Sequence, residues 1–145
     1  DYNKLLEKLQ GENKSEQIYL FPGAIDAIKL LGKSHLLGIV TGRNSESVKE
    51  HFSNFGIALE LFKVIRTGDL EIAKPDPRVF VNILTEFNLA KNQVVYIGDT
   101  VIDFNCAKQA GINFVGVLTG SADENDFKEA GAKFVKDLKE FQLLF

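Results

Sequence analysis

A chain of 145 residues, 45% hydrophobic and 26% charged, is about one domain of ordinary globular composition, which excludes disorder and fibrous repeats. Seventeen basic against 20 acidic residues leave a net charge of -3 with no basic block, so the electrostatic footprint of a nucleic-acid binder is absent. One cysteine excludes a disulfide framework and a Cys-rich zinc site and suits a reducing, cytoplasmic compartment, and no apolar run reaches the roughly 20 residues that span a membrane. The chain contains no Met and opens on Asp1, so a segment upstream is expected to be missing.

In chain order, residues 2–9 read as a short amphipathic helix followed by a polar linker over 10–17. Residues 22–31 read as a helix with Pro at its start and Gly32 after it. From Leu36 onward, strand-length apolar runs at 36–40, 63–66, 94–97, 113–117 and 133–135 alternate with helical periodicity. The helices are expected over 45–55 behind an Asn44 cap, 77–88 behind Asp76, 100–110 ending at Gly111, 124–130 and 137–144. Strand and helix in alternation predict an α/β fold, a Rossmann-like doubly wound parallel sheet.

In such a sheet every strand-to-helix loop emerges on one rim, and ligands bind there. Thr41-Gly42-Arg43-Asn44 places a hydroxyl and a glycine backbone at a helix N-terminus, which favours an anion such as phosphate. Lys74, inside Ala73-Lys74-Pro75-Asp76-Pro77, is an ammonium on a loop stiffened by two prolines, a good phosphate counter-charge. Asp99 ends a strand and Asp103 follows one helical turn later. Two carboxylates facing one pocket repel by ~4 kcal/mol at an effective dielectric near 20, which calls for a cation. Mg²⁺ fits such carboxylates best, since calcium would want more protein oxygens and zinc would want His or Cys.

Each feature also has a plain structural reading. Thr41 and Asn44 could simply cap a helix, Lys74 could be a solvated loop lysine, and Thr100 with Asp103 matches a capping box. Cys106 reads as a small core residue, and His35 and His51 as surface or boundary residues.

Taken together, Val40-Thr41-Gly42, Lys74-Pro75-Asp76-Pro77 and the run from Tyr96-Ile97-Gly98-Asp99-Thr100 to Asp103 resemble the second, third and fourth motifs of the haloacid dehalogenase-like (HAD) superfamily, in its phosphoglycolate phosphatase branch. The likeness covers residues 18–137. It implies that Thr41 and the Gly42 N–H bind the transferred phosphoryl group, that Lys74 balances charge on nucleophile and phosphate, that Asp99 binds Mg²⁺ and that Asp103 supports the metal directly or through water. Arg43 is placed near substrate with no fixed role. The superfamily's first motif, Asp-x-Asp-x-Thr/Val, is absent: Pro22-Gly23-Ala24 stands where it would follow a first strand.

The resemblance therefore implies a Mg²⁺-dependent phosphatase of small phosphorylated substrates, with residues 1–17 a remnant of a helical cap and 18–145 a core lacking its first strand. A phosphomutase of the same branch, or a non-catalytic remnant binding a phospho-ligand or protein, are the alternatives. In that family the absent strand is central. The strands ending at Val40 and Ile97 should then lack their shared neighbour, and the missing segment or another chain would complete the sheet.

Overall fold

The computed structural model describes residues 18–144. The helix and linker expected over 1–17, and their reading as a cap remnant, lie outside the described residues. The Ala24 N–H bonds the Phe21 carbonyl at 3.1 Å, and Gly23, at φ 83°, supplies the left-handed turn into α1 (Ala24–Leu31). There follow β1 (Leu37–Val40), α2 (Ser45–Asn54), β2 (Phe62–Arg66), α3 (Arg78–Glu86), β3 (Val95–Gly98), α4 (Val101–Ala110), β4 (Asn113–Val117), α5 (Glu124–Ala130), β5 (Phe134–Val135) and α6 (Leu138–Phe141).

The strands fall within a residue of their expected bounds, while three helices are shorter than expected by two residues or more, the first because Gly23 turns the chain and leaves Pro22 outside α1. Pro77 stands outside α3, and Asp76 reaches past it to accept the Arg78 N–H at 2.9 Å. At the other end Asn88, at φ 50°, turns the chain away. The helix expected over 137–144 ends at Phe141 and continues as a 3₁₀ turn over Gln142–Leu144.

All strand pairs are parallel, in the orders β1-β2 and β3-β4-β5. The alternation of side chains sorts the core into two layers. Tyr96 and Phe114 face α3, α4 and α5, packing with Phe80, Cys106, Ala107 and Phe127. Val95, Ile97, Val115 and Val117 face the opposite way, against Leu31, Leu138 and Phe141 of α1 and α6. Gly116 lets α5 close down: a Cβ there would lie 2.6 Å from the ring of Phe127, which is fully buried.

Between the two strand groups lies a gap. Among the described residues β1 pairs with β2 alone and β3 with β4 alone. Thr41 N–H bonds the Arg66 carbonyl and Asn113 N–H the Val94 carbonyl. By twofold alternation, Gly38 and Val40 of β1 and Val95 and Ile97 of β3 then turn their backbone groups into the gap. A groove of about 580 Å³ runs there, lined by Leu37, Ile39, Val40, Val95, Tyr96 and Ile97 among others. The Tyr96 hydroxyl crosses it to the Val40 carbonyl at 3.0 Å. Apart from Gly98 at its end, β3 is only half-buried, and β1 is half-buried with Gly38 exposed, whereas Phe114, Gly116 and Val117 of β4, which has a strand on each side, are buried.

Candidate active site

Val40 and Ile97, near the carboxyl ends of β1 and β3, line this groove, and Thr41 follows the one strand and Asp99 the other. After β1, the Thr41 hydroxyl oxygen accepts the Arg43 N–H at 3.2 Å, and Asn44 caps α2 by accepting the Ser47 N–H at 2.8 Å. Asp69, from the loop after β2, accepts the Ser45 N–H at 3.0 Å and the Ser45 hydroxyl at 2.5 Å. This corrects the picture of α2 as an open anion site. Its first-turn donors Ser45 and Ser47 are already engaged, and ahead of them stand Thr41, Gly42 and the exposed Arg43.

Lys74 is no solvated loop lysine. Its side chain is 17% exposed, and its ammonium donates to Asp103 Oδ1 at 2.6 Å and to the Tyr96 hydroxyl at 2.9 Å. Asp103 is 2% exposed. Its Oδ2 accepts the Thr100 hydroxyl at 2.8 Å, and its N–H bonds back to the Thr100 oxygen at 3.0 Å. The Asp103 N–H thus serves the Thr100 cap, while its carboxylate also takes Lys74 and Tyr96. Burial pushes the Asp103 carboxyl up, but the Lys74 ammonium, with Thr100 and Tyr96, outweighs it and holds the group below the ordinary carboxylate range. The same burial, reinforced by Asp103, raises the Tyr96 phenol, which stays protonated.

Asp99 differs. Its backbone carbonyl accepts the Ala122 N–H at 3.0 Å, but no described group donates to its carboxylate. That carboxylate packs on bare backbone: a Cβ on Gly120 would lie 1.9 Å from Oδ2. Gly98 serves Asp103 likewise, where a Cβ would meet the Asp103 Cβ at 2.5 Å. The expected pair of mutually repelling carboxylates is thus resolved within the chain, since Lys74 neutralises Asp103 and leaves Asp99 as the open acid. Among the described residues no three His, Cys, Asp or Glu side chains gather as a metal cage. Cys106 is 1% exposed, its thiol raised by burial, as a core residue should be.

Tyr96, Asp69 and Gly120 were missed from the sequence. Tyr96 sat inside an apolar strand run, where an aromatic reads as core. Only the fold shows its hydroxyl reaching the rim. Asp69 and Gly120 lay in rim loops, the one signal that could have drawn attention to them.

The family model for haloacid dehalogenase-like hydrolases matches residues 1–117. A phosphoglycolate phosphatase of Salmonella typhi is 31% identical over 118 residues, covering 81% of this chain and 47% of its own length. The chain thus spans about half the length of the curated relatives it matches. A predicted phosphoglycolate phosphatase from Haemophilus somnus superposes with a TM-score of 0.81 at 23% identity, over 99% of this chain and 64% of the other, a likeness of fold. A haloacid dehalogenase-like hydrolase from Streptococcus pneumoniae gives 0.77 at 25% identity, over 87% and 60%. With the motifs, the parallel sheet and the rim all in agreement, the chain belongs to the haloacid dehalogenase-like hydrolase family.

Proposed function

We propose that this chain is most of the core of a Mg²⁺-dependent phosphatase of small phosphate monoesters such as phosphoglycolate, acting in the cytoplasm, and that a strand carrying its nucleophilic aspartate seats between β1 and β3. The carrying observation is the groove between β1 and β3, lined by Val40 and Ile97, on strands that lead directly into Thr41 and Asp99. Backbone groups buried without partners cost roughly 1–3 kcal/mol each, so whatever covers this groove must pair with Gly38, the Val40 N–H, Val95 and Ile97, which a parallel strand does. Its carboxyl end would emerge on the same rim as Thr41 and Asp99.

In this reading the entering aspartate attacks phosphorus, the bond to the leaving oxygen breaks, and that oxygen takes a proton as the alcohol departs. Water then cleaves the aspartyl-phosphate. Thr41 and the Gly42 N–H hold the phosphoryl oxygens, and Arg43 approaches the substrate. Lys74, fixed by Asp103 and Tyr96, places positive charge beside them. Asp99, an unengaged oxygen donor at the rim, fits Mg²⁺, which prefers one or two carboxylates with waters and phosphate oxygens. Asp103 supports that site from beneath. When bound, the ion neutralises charge developing on the phosphoryl group.

The test is phosphate release from phosphoglycolate and an aryl phosphate with Mg²⁺. The 145-residue chain should be inactive, and the same chain extended by a strand bearing Asp-x-Asp should turn over. Inorganic phosphate as product, rather than a second sugar phosphate, separates this reading from a phosphomutase. Lys74→Ala or Asp99→Asn in the extended protein should cost several orders of magnitude. Turnover by the 145 residues alone would overturn the proposal.

A further inference from the structure

We propose that Asp69 is a positioning residue that clamps the Thr41–Gly42–Arg43 turn in the shape that receives phosphate, an inference resting on the role given to Thr41 above. Two loops meet edge to edge here. Gly68 donates its N–H to the Arg43 carbonyl at 2.8 Å, and a Cβ on Gly68 would lie 2.1 Å from the Gly42 carbonyl oxygen, so the backbones touch. Beside this contact Asp69 takes both Ser45 donors, backbone and hydroxyl. The Ser45 hydroxyl also lies 3.4 Å from that of Thr67, which is 4% exposed.

The turn is consequently fixed at three points. Thr41 N–H is tied to Arg66, the Arg43 carbonyl to Gly68, and Ser45 to Asp69. The side of Gly42 on which a Cβ would stand is open, so what confines it is the Gly68 backbone against its carbonyl and the ties on either flank. The clamp leaves the Gly42 N–H and Thr41 hydroxyl preorganised before any ligand arrives, which lowers the ordering cost of binding. The hydrogen bonds from Ser45 and Thr67 hold the Asp69 carboxyl down to about 2, so it is charged and accepting throughout the neutral range.

A second consequence separates positioning from plain electrostatics. Asp69 is an exposed negative charge near an anion site. If it acted only through charge, removing it would tighten phosphate binding. As a clamp, its removal weakens binding.

The experiment uses the full 145-residue chain, titrated with inorganic phosphate and followed by amide NMR and hydrogen exchange, in wild type, Asp69→Ala, Asp69→Asn and Ser45→Ala. Asp69→Ala should weaken phosphate about tenfold and accelerate exchange at Ser45 and Gly68 while β4 amides keep their wild-type rates; a purely structural loss would accelerate both alike. Asp69→Asn, which keeps one acceptor oxygen, should fall between. Ser45→Ala combined with Asp69→Ala should cost less than the sum of the two, because both remove the same contact. Tighter phosphate binding in Asp69→Ala, or exchange in the turn equal to wild type, would overturn the clamp. Should wild type bind no phosphate, the phosphatase reading is what fails, and hydrogen exchange alone decides the clamp.

Discussion

Replacing Lys74 by Met keeps the aliphatic stem and removes the ammonium 2.6 Å from a carboxylate that is 3% exposed. At that distance the attraction is ~6 kcal/mol at an effective dielectric near 20, partly offset by the cost of desolvating both ions. Breaking a buried pair from one side typically costs about 3–5 kcal/mol, and the two hydroxyls left on Asp103 place this case near the lower figure. That is a large part of the roughly 5–15 kcal/mol that holds a domain together. The loss carries a pH signature. In wild type the depressed Asp103 carboxyl contributes stability above the ordinary carboxylate value, lost as pH falls through its folded value. Without Lys74 burial dominates, the group rises, and its neutral form contributes stability that is lost as pH increases. Urea unfolding followed by circular dichroism should therefore show Lys74→Met losing about 3 kcal/mol near pH 7 and clearly less near pH 5. Lys74→Met with Asp103→Asn should recover most of it. A loss under about 1 kcal/mol near pH 7, or one independent of pH, would refute the claim that Lys74 holds Asp103 ionised.

Gly120→Ala should push the Asp99 carboxylate aside, cost about 1–3 kcal/mol and weaken Mn²⁺-induced line broadening at the Asp99 amide. Gly116→Ala, driven into the Phe127 ring at 2.6 Å, should destabilise by a similar amount in thermal unfolding. Asn44→Ala removes the α2 cap and should lower stability by about 1 kcal/mol. Cys106 should resist a thiol reagent until the protein is unfolded by denaturant, because its thiol is buried.

Much of this was legible in the sequence because the chemistry is local. Apolar runs such as Val94-Val95-Tyr96-Ile97 end in Gly-Asp, and Asn44, Thr100 and Gly111 punctuate helices by rules that need only neighbouring residues. The motifs ordered the rim loops for the same reason. What stayed hidden depends on distance through space. Asp103 and Lys74 are separated by 29 positions, and Ser45 and Asp69 by 24, so neither spacing announces a pair. The lysine that folding brings against Asp103 is invisible to any count of acids along the chain. The helix ends at Glu86 and Phe141 escaped because no Gly or Pro marks them.

Hydrogen exchange at the sheet tests the central claim most directly. In the 145-residue chain the amides of Gly38, Val40, Val95 and Ile97, which face the groove, should exchange rapidly, while those of Ile39 and Tyr96, which face their partner strands, stay protected. Adding the Asp-x-Asp strand should slow the four groove-facing amides by about a hundredfold or more, the mark of buried sheet hydrogen bonds, and Mg²⁺-dependent phosphate release should appear in the same sample. Strong protection of all four in the 145-residue chain by itself would contradict the account, because it would mean that the gap between β1 and β3 is already closed.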